Sequence, residues 1–290
     1  MEKRLIRKGK VKEVYDIGDD KLEFLFTNNI SVFDKIIPTE IEDKGAVLCG
    51  ISTFWFKKCE EMGIKTHFIE RNSSNKMIVK KFRIIKDYSS LNKNTTNYLI
   101  PIEVIARYYV AGSLYERMKD KGVKYGEELP EPVIEFTTKF ESYDRLLSEE
   151  ETRKISGLEM EEMEEIKEIV LKIDDYMQKE VNKRGLIHVD GKKEFAFDEE
   201  RGLVVVDTFG TPDEDRFWDK ESYEKGEFIE LSKEFVRAYY KKTGYYSLLQ
   251  KARENNLPEP EIPALPEDIA KKVSLLYISI YEKITGKAFR

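Results

Sequence analysis

The stretch from Ile187 to Trp218 sets charged side chains inside two apolar runs. The first reads I-H-V-D-G-K-K-E-F-A-F, and after the polar turn Asp198–Gly202 the second reads L-V-V-V-D-T. Alternate residues of an extended strand share a face, so Asp190, Lys192 and Glu194 point the same way. The short turn predicts a hairpin, which brings Asp207 near Lys192 or Glu194. A register slip of one residue would carry Asp207 to the other face. Two readings fit the pattern. Two carboxylates beside a lysine suit a magnesium ion bound with a nucleotide's phosphates, because magnesium takes one or two carboxylates plus phosphate oxygens. The same charges also suit a salt-bridged face on an ordinary hairpin.

Other segments carry potential chemistry. In Arg7-Lys8-Gly9-Lys10-Val11-Lys12, cations surround one glycine before a strand. Backbone amides at such a turn can hold phosphate with lysine's help, although an exposed basic N-terminus has the same composition. Leu99–Ser113 reads L-I-P-I-E-V-I-A-R-Y-Y-V-A-G-S and puts Glu103 and Arg107 on one face of an apolar strand. They can form a buried pair, or Arg107 can present its fork to a phosphate with Ser113 beside it. His67 and His188, the only histidines, sit in apolar strands and read as core residues, with no Ser/His/Asp or zinc pattern around them.

The elements that must position these groups can be read from periodicity. Val11–Ile17 and Leu22–Thr27 flank Gly18-Asp19-Asp20, a hairpin signal. A helix follows Lys44-Gly45, with Leu48, Ile51, Trp55, Cys59 and Met62 on one face and Gly63 at its end. Thr66–Ile69 and Met77–Ile85 read as strands, and Asp87–Asn97 as an exposed loop. Glu159–Lys183 is an amphipathic helix with Met163, Ile166, Val170, Ile173 and Met177 inward and Gly185 beyond its end. From Asp219 the character is helical, through Phe228–Glu254 and, after the proline-broken Leu257–Pro266, Glu267–Thr285. The pattern predicts an α+β fold in three parts: residues 1–98, β-rich; 99–218, mixed α/β and carrying the charged strands; and 219–290, helical.

Composition bounds the function. The chain has 290 residues, a net charge of −6 and 37% charged residues, which argues against a basic nucleic-acid-binding surface while allowing a local cationic pocket. No run of 18 apolar residues and no apolar leader occurs, so a soluble, cytoplasmic protein without membrane contact is expected. Cys49 and Cys59 lie ten residues apart on one predicted helix and read as reduced core thiols. The aromatic run Tyr239–Tyr246 points to a homodimer.

Several of these motifs, in order, resemble the SAICAR synthetase family. L-I-P-I-E-V-I-A-R-Y-Y-V-A-G-S matches a family motif nearly position for position. Gly9-Lys10-Val11-Lys12-Glu13-Val14-Tyr15 resembles its phosphate-facing N-terminal element, Ser31-Val32-Phe33-Asp34 its S-A-F-D, and Val79-Lys80-Lys81 its adenine-edge strand. Thr138-Lys139 falls at its T-K pair. Asp190-Gly191-Lys192-Lys193-Glu194-Phe195 resembles D-x-K-x-E-F, and Thr211-Pro212-Asp213 through Arg216-Phe217-Trp218 resembles T-P-D-x-x-R-F-W. The likeness runs from about residue 7 to the end, and Leu265–Gly286 resembles the longer form of the family.

The resemblance implies an antiparallel ATP-binding lobe, a second mixed lobe and C-terminal helices. It implies an ATP- and magnesium-dependent ligase of purine biosynthesis that phosphorylates the carboxylate of carboxyaminoimidazole ribonucleotide and lets L-aspartate displace the phosphate. By that match Gly9, Lys10, Lys12, Lys80, Lys81 and Lys139 face ATP. Ser31, Asp34, Arg107, Ser113 and Arg216 bind substrate, with Arg107, Ser113 and Arg216 on the ribotide phosphate. Glu194 and Asp207 hold magnesium, Asp190 and Lys192 lie at the reacting carboxylate, and Glu103, the third catalytic residue, orients the imidazole ribotide or its metal. The chain departs from the family at Asn28-Asn29 (commonly Asp-Arg), Tyr143 (His), Ala196 (Gly), Thr208 (Glu) and Gly210 (Leu). The departures gather around the metal and the amine side, where Lys35, Lys44 and Arg145 are the nearest cations in sequence. They also leave open a paralogous amide ligase with another acid or amine, or a nucleotide-binding homologue without turnover. Kinase chemistry is disfavoured, since G-x-G-x-x-G, H-R-D and D-F-G are all missing.

Overall fold

The computed structural model describes residues 3–141, 144–231 and 233–290. Strands β1 (Arg4–Lys8), β2 (Lys12–Gly18) and β3 (Lys21–Phe26) open the chain. The β2–β3 turn takes positive φ at Gly18, Asp19 and Asp20 (81°, 50° and 52°), the backbone that Gly and Asp tolerate best. A small hairpin follows, β4 (Ser31–Val32) and β5 (Lys35–Ile36). Its two-residue loop puts Phe33 and Asp34 at φ 52° and 67°, as a type I′ turn requires.

Helix α1 (Lys44–Glu61) buries Leu48, Ile51, Trp55 and Cys59, the face that the periodicity predicts. Its own N-cap, Asp43, makes no side-chain cap bond. Asn28 Oδ1 instead accepts the Gly45 N–H at 3.0 Å, so the loop after β3 caps the helix. A Cβ on Gly45 would lie 2.4 Å from the Phe26 carbonyl oxygen, and only glycine lets helix and sheet approach so closely. Strands β6 (Phe68–Ser73) and β7 (Lys76–Lys80) complete an antiparallel sheet of order β1-β2-β3-β7-β6.

The two expected strands here are displaced. The first starts later than Thr66, and the second stops at Lys80 rather than Ile85. The Lys81 N–H already turns to the Asp20 carbonyl, and the Arg83 carbonyl accepts from Leu99 in the second sheet, so residues 81–85 are the crossing between sheets.

The second sheet holds β8 (Tyr98–Leu99), β9 (Ile102–Tyr109), β10 (Glu128–Thr138), β11 (Leu146–Leu147), β12 (Leu186–Phe197), β13 (Leu203–Val206) and β14 (Arg216–Asp219). Its path is β11-β10-β9-β12-β13, and β8 and β14 also pair with β12. The long β12 therefore lies at the centre, bonded to four strands. The expected hairpin is β12–β13, with Glu194 opposite Val206. Helices α2 (Gly112–Met118) and α3 (Glu149–Ser156) flank β10; none of the three was anticipated. Pro130 and Pro132 disguise β10 as a loop, and they fall where its pairing with β9 skips between Glu128 and Val133.

Helix α4 (Met160–Asn182) buries Met163, Ile166, Val170, Ile173 and Met177 against the sheet. The C-terminal helices are α5 (Lys220–Glu224), α6 (Glu234–Lys242), α7 (Tyr245–Glu254) and α8 (Glu267–Thr285), and α8 packs back on α1. Two residues of the aromatic run Tyr239–Tyr246 pack inside the chain. Tyr240 and Tyr245 are buried, and their hydroxyls donate to the Pro263 and Pro260 carbonyls at 2.5 and 3.1 Å. Among the described residues no helix is long and apolar enough to cross a membrane.

The Gly45 contact generates a test. Gly45→Ala overpacks the α1–β3 junction and is expected to cost about 1–3 kcal/mol. Urea unfolding would show this as a lower midpoint with an unchanged slope.

Candidate active site

The site grows from the pairing of β9 with β12. Asp190 stands opposite Arg107 and Lys192 opposite Ile105, so Glu103, Arg107, Asp190, Lys192 and Glu194 share one face. Arg107 is almost fully buried and does not pair with Glu103. Its Nε donates to Glu135 at 2.8 Å, one terminal nitrogen to Asp190 at 3.2 Å and the other to Ser113 Oγ at 2.9 Å. Arg216 also donates to Asp190. The guanidinium of Arg216 lies over Gly112, where a Cβ would come within 2.5 Å of it, and Gly112 has φ 51°. The Ala-Gly-Ser turn thus makes room for the second arginine, and the expected trio Arg107, Ser113 and Arg216 meets in one cradle.

A second cluster adjoins it. Lys192 Nζ donates to Glu103 at 2.7 Å and lies 3.4 Å from Glu194 and 3.6 Å from Glu214. Lys139, just past β10, donates to Glu194 and stands 3.9 Å from Asp207. Lys12 donates to Asp207 from the first sheet. Asp207 follows β13 at φ 59°, an uncommon backbone for a residue with a side chain and one that recurs at functional sites. The hairpin register sets Val206, not Asp207, opposite Glu194, so a continued strand would turn Asp207 to the other face; the left-handed backbone after β13 instead lets its carboxylate reach Lys139 and Lys12.

Burial and charge set the protonation of these groups. Burial opposes the charge on Lys192, but Glu214, Glu194 and Glu103 outweigh it and hold the amine well above its ordinary range. Lys139 is raised in the same way, against burial, by Glu194 and Asp207. Burial also opposes ionisation of Asp207, but Lys12 and Lys139 hold that carboxyl well below the usual range. Glu103 goes the other way. Burial, the largest cause, lifts it to about 7; Lys192 opposes the rise and Glu194 adds to it. The site thus holds one carboxyl poised near neutrality among groups that stay charged.

The remaining residues of the expected nucleotide face are less concentrated. Gly9 makes the tight β1–β2 turn, its N–H donating to the Lys12 carbonyl at 2.8 Å, and a Cβ there would clash with that oxygen. Lys10 reaches Asp34 at 2.6 Å, which joins the S-V-F-D hairpin to this turn, while Ser31 pairs with Ile36 at the hairpin's base. Lys80 and Lys81 pair with Glu199 and Asp16, at 2.7 and 2.8 Å, away from Glu194 and Asp207. Between the two sheets, Phe82, Ala196, Val204 and Val206 form a small apolar cluster with Leu99 packed on it. Ala196 is a regular strand residue of that cluster, where a glycine's freedom is not needed.

A cavity of about 170 Å³ opens beside Asp190 and Arg216, lined also by Asp213, Glu214, Lys233 and Arg237. Sequence reading missed Glu214, Lys233, Arg237 and Glu135. Glu214 sat at an unassigned x of T-P-D-x-x-R-F-W, and the four-residue spacing of Lys233 and Arg237 was the signal for a shared helix face. Of the three cations suggested for the amine side, Lys35 pairs with Glu259 at 2.8 Å, and Arg145 is held outside by Glu141 and Glu151. Lys44 is fully buried beneath the cavity and bonds Asp213 at 2.6 Å. Burial opposes the ionisation of Asp213, yet Lys44 and Lys233 hold it below the usual range. Asn28 is explained by its capping of α1, the Asn29 N–H contacts Thr27 Oγ1 at 3.4 Å, and Thr208 is buried. Gly210 at φ 68° sits under Trp55, where a Cβ would come within 2.4 Å of the indole. Tyr143 lies outside the described residues.

A magnesium ion is compatible with this chemistry. Glu194 and Asp207 are oxygen donors close enough to share Lys139, so the pair already draws positive charge. Among the described residues no three His, Cys, Asp or Glu side chains form a metal-binding group. Any further ligands would then be phosphate oxygens and water, which is magnesium's habit.

The fold and site define a protein whose central sheet carries a two-arginine cluster beside a lysine–carboxylate cluster. The SAICAR synthetase family profile matches residues 5–252. A Thermoplasma acidophilum protein named phosphoribosylaminoimidazole-succinocarboxamide synthase is 55% identical over 98% of this chain and 99% of its own length. A solved SAICAR synthetase (Type-2) in complex with ADP superposes with a TM-score of 0.73 at 30% identity, covering 97% of this chain and 98% of that one. A Saccharomyces cerevisiae SAICAR synthase complexed with SAICAR gives 0.79 at 25% identity, covering 99% and 96%. The chain belongs to the SAICAR synthetase family.

His67 ties the site to stability. It is buried between Phe24 and Phe56, its Nε2 lies 3.1 Å from the Asp207 carbonyl, and burial pushes its pKa down from 6.5 to about 4. Between those values the unfolded chain binds the proton and the native one does not, so stability is full above pH 6.5 and falls as pH drops toward 4. From pH 7 to pH 5 this group should remove about 2 kcal/mol. Urea titrations at the two pH values should show a smaller difference for His67→Gln than for the wild type.

Proposed function

We propose that this chain joins the amine of L-aspartate to the carboxylate of carboxyaminoimidazole ribonucleotide, using ATP, as a step of purine biosynthesis. The observation that carries the reading is the contiguity of two clusters on one sheet face: a two-arginine cradle suited to a phosphate monoester, and a lysine–carboxylate group suited to phosphoryl transfer. The relatives' names and the ADP and SAICAR complexes of the solved neighbours support it.

A carboxylate is a poor electrophile, so the γ-phosphoryl group moves first to a carboxylate oxygen, giving ADP and an acyl phosphate. The aspartate nitrogen then bonds to the acyl carbon, inorganic phosphate leaves, and the nitrogen gives up a proton. Arg107, Ser113 and Arg216 hold the ribotide phosphate, with Glu135 and Asp190 fixing the two guanidinium planes. Lys10, Lys12 and Lys139 face the ATP phosphates beside the Gly9 turn, and Lys80 and Lys81, at the end of β7, face the nucleotide from farther off. Asp190 and Lys192 lie at the reacting carboxylate, where the ammonium offsets charge built up by two anions. Glu103, lifted to about 7, is the site carboxyl able to accept a proton near neutrality. Ser31 and Asp34 close the substrate side through the hairpin that meets Lys10. A magnesium ion would be held by Glu194 and Asp207 and would offset the phosphates' charge. Reduced, buried Cys49 and Cys59 fit work in the cytoplasm.

The assay is phosphate release with ATP, magnesium and the ribotide, with and without aspartate. Product formation that needs all four supports the reading, and no aspartate dependence would sink it. Glu194→Gln should lower kcat by at least a hundredfold with the thermal transition preserved; an unchanged kcat removes Glu194 from the site. A charge-assisted hydrogen bond contributes about 1.5–3 kcal/mol. Arg216→Ala should therefore weaken ribotide binding by about ten- to a hundredfold while ATP binding stays within twofold, as calorimetry can measure.

A further inference from the structure

Behind the cradle, on the opposite face of β12, lies a buried polar network that the proposed mechanism does not use. Between His188 and Asp190 the pairing with β14 skips one residue, so His188 faces away from Asp190 and joins Lys193 on the covered side. His188 Nε2 lies 2.7 Å from Asp215 Oδ2, and both side chains are completely enclosed. A carboxylate only accepts, so the ring's Nε2–H donates. Asp215 Oδ1 accepts the Gly210 N–H at 3.0 Å, and the Gly210 carbonyl accepts from Trp55 Nε1 at 3.1 Å. Lys193, enclosed as well, sits 2.5 Å from Asp174 of α4, and Asp215 adds to the field that keeps this amine charged.

Gly191 shows what the network is clamped against. It lies in regular pairing opposite Ala106, with no left-handed backbone to require glycine. A Cβ there would stand 2.0 Å from Asp215 Oδ2 and 2.8 Å from His188 Nε2. The bare backbone at Gly191 is the seat on which the Asp215 carboxylate rests.

The chain neighbours of Asp215 both serve the front face. Glu214 lies 3.6 Å from Lys192, and Arg216 bonds Asp190 across Gly112. We propose that Asp215, gripped by His188 and the Gly210 amide and seated on Gly191, is a positioning residue that fixes Glu214 and Arg216 over β12. It would thereby set the affinity of the ribotide-phosphate cradle. The inference rests on the ligase reading only for the identity of the ligand.

Steady-state kinetics of Gly191→Ala, Asp215→Ala and the double variant test it, with Asp215→Asn as a shape-preserving check on folding. A misplaced cradle should raise KM for the ribotide about tenfold or more in each alanine variant, with KM for ATP within twofold. Asp215→Asn, which keeps the Gly210 bond, should fall between them and the wild type. The double variant should fall well short of the summed losses, because the added methyl no longer meets the carboxylate at 2.0 Å and is left only the His188 Nε2 contact at 2.8 Å. Additive losses, equal losses for both substrates, or no loss would each overturn the proposal. Hydrogen exchange at the amides of residues 208–216 reads the clamp without any substrate, and should speed up in Gly191→Ala and Asp215→Ala. Unchanged exchange would overturn it too. A wild type that does not bind the ribotide in calorimetry fails the ligase reading instead, and the exchange result still judges the clamp.

Discussion

Everything in the site depends on how one strand keeps its charges solvent-poor and yet paired. β12 buries His188, Asp190, Lys193 and Glu194 and half-buries Lys192. An ion moved out of water without a partner costs several kcal/mol, so each must be matched by a group from another element. The pleat divides the problem. The front takes Asp190, Lys192 and Glu194, matched by Arg107 and Glu103 of β9, by Lys139, and by Glu214 and Arg216 beyond β13. The back takes His188 and Lys193, matched by Asp215 and by Asp174 of α4. The skipped residue at Val189 makes this division possible, since without it His188 would share the face of Asp190. Tyr108 of β9 closes the back by donating to Asp174 at 3.1 Å.

The two sheets meet at the end of the β12–β13 hairpin, and Asp207 is the joint. Its carboxylate takes Lys12 from the first sheet and its carbonyl contacts His67, while the His67 N–H donates to the Val205 carbonyl at 3.0 Å. A residue bonded through side chain and backbone to the other sheet can be kept at positive φ, because its surroundings over-determine it. From the far side α8 reaches the same region, its Tyr277 hydroxyl donating to Asp213 at 2.6 Å. Asp213 also bonds Lys44 at the start of α1. The loop between β13 and β14 is thus held at Asp213 by parts of the chain far apart in sequence.

This arrangement explains what could be read from residues alone. The front-face set was legible because period two is fixed by covalent geometry, and β12 and β9 are long enough to show it. Helices α1 and α4 were legible because their apolar stripes face a core. Strand β10 was hidden by Pro130 and Pro132, which belong to an irregular pairing that only the tertiary partner reveals. The back-face network was hidden for another reason. His188 and Asp215 are 27 residues apart, and a lone histidine in an apolar strand carries no mark of its partner. Lys233 and Arg237 escaped because a charged helix face usually means solvent. The departures from family motifs were legible as differences but not as roles: that Asn28 caps α1 depends on where a loop lands.

The paired state also decides how charged substrates can enter. Arg107 has five N–H donors, of which Glu135, Asp190 and Ser113 engage three, so a phosphate can be added to the two that remain without breaking the pairs that hold the plane. Lysine offers no such economy, since it has three donors on one nitrogen. Lys192 is shared among Glu103, Glu194 and Glu214, and Lys139 between Glu194 and Asp207. An incoming phosphate or carboxylate must therefore draw these ammonium groups away from carboxylates that would be left facing one another. That exchange is balanced only if new positive charge arrives with the anion or a carboxyl takes up a proton. In the proposed ligase, Glu194 and Asp207 would supply the first remedy by holding a cation, and Glu103, lifted to about 7, the second. Cation and substrate binding should then be mutually dependent, because neither can displace the internal pairs alone at acceptable cost.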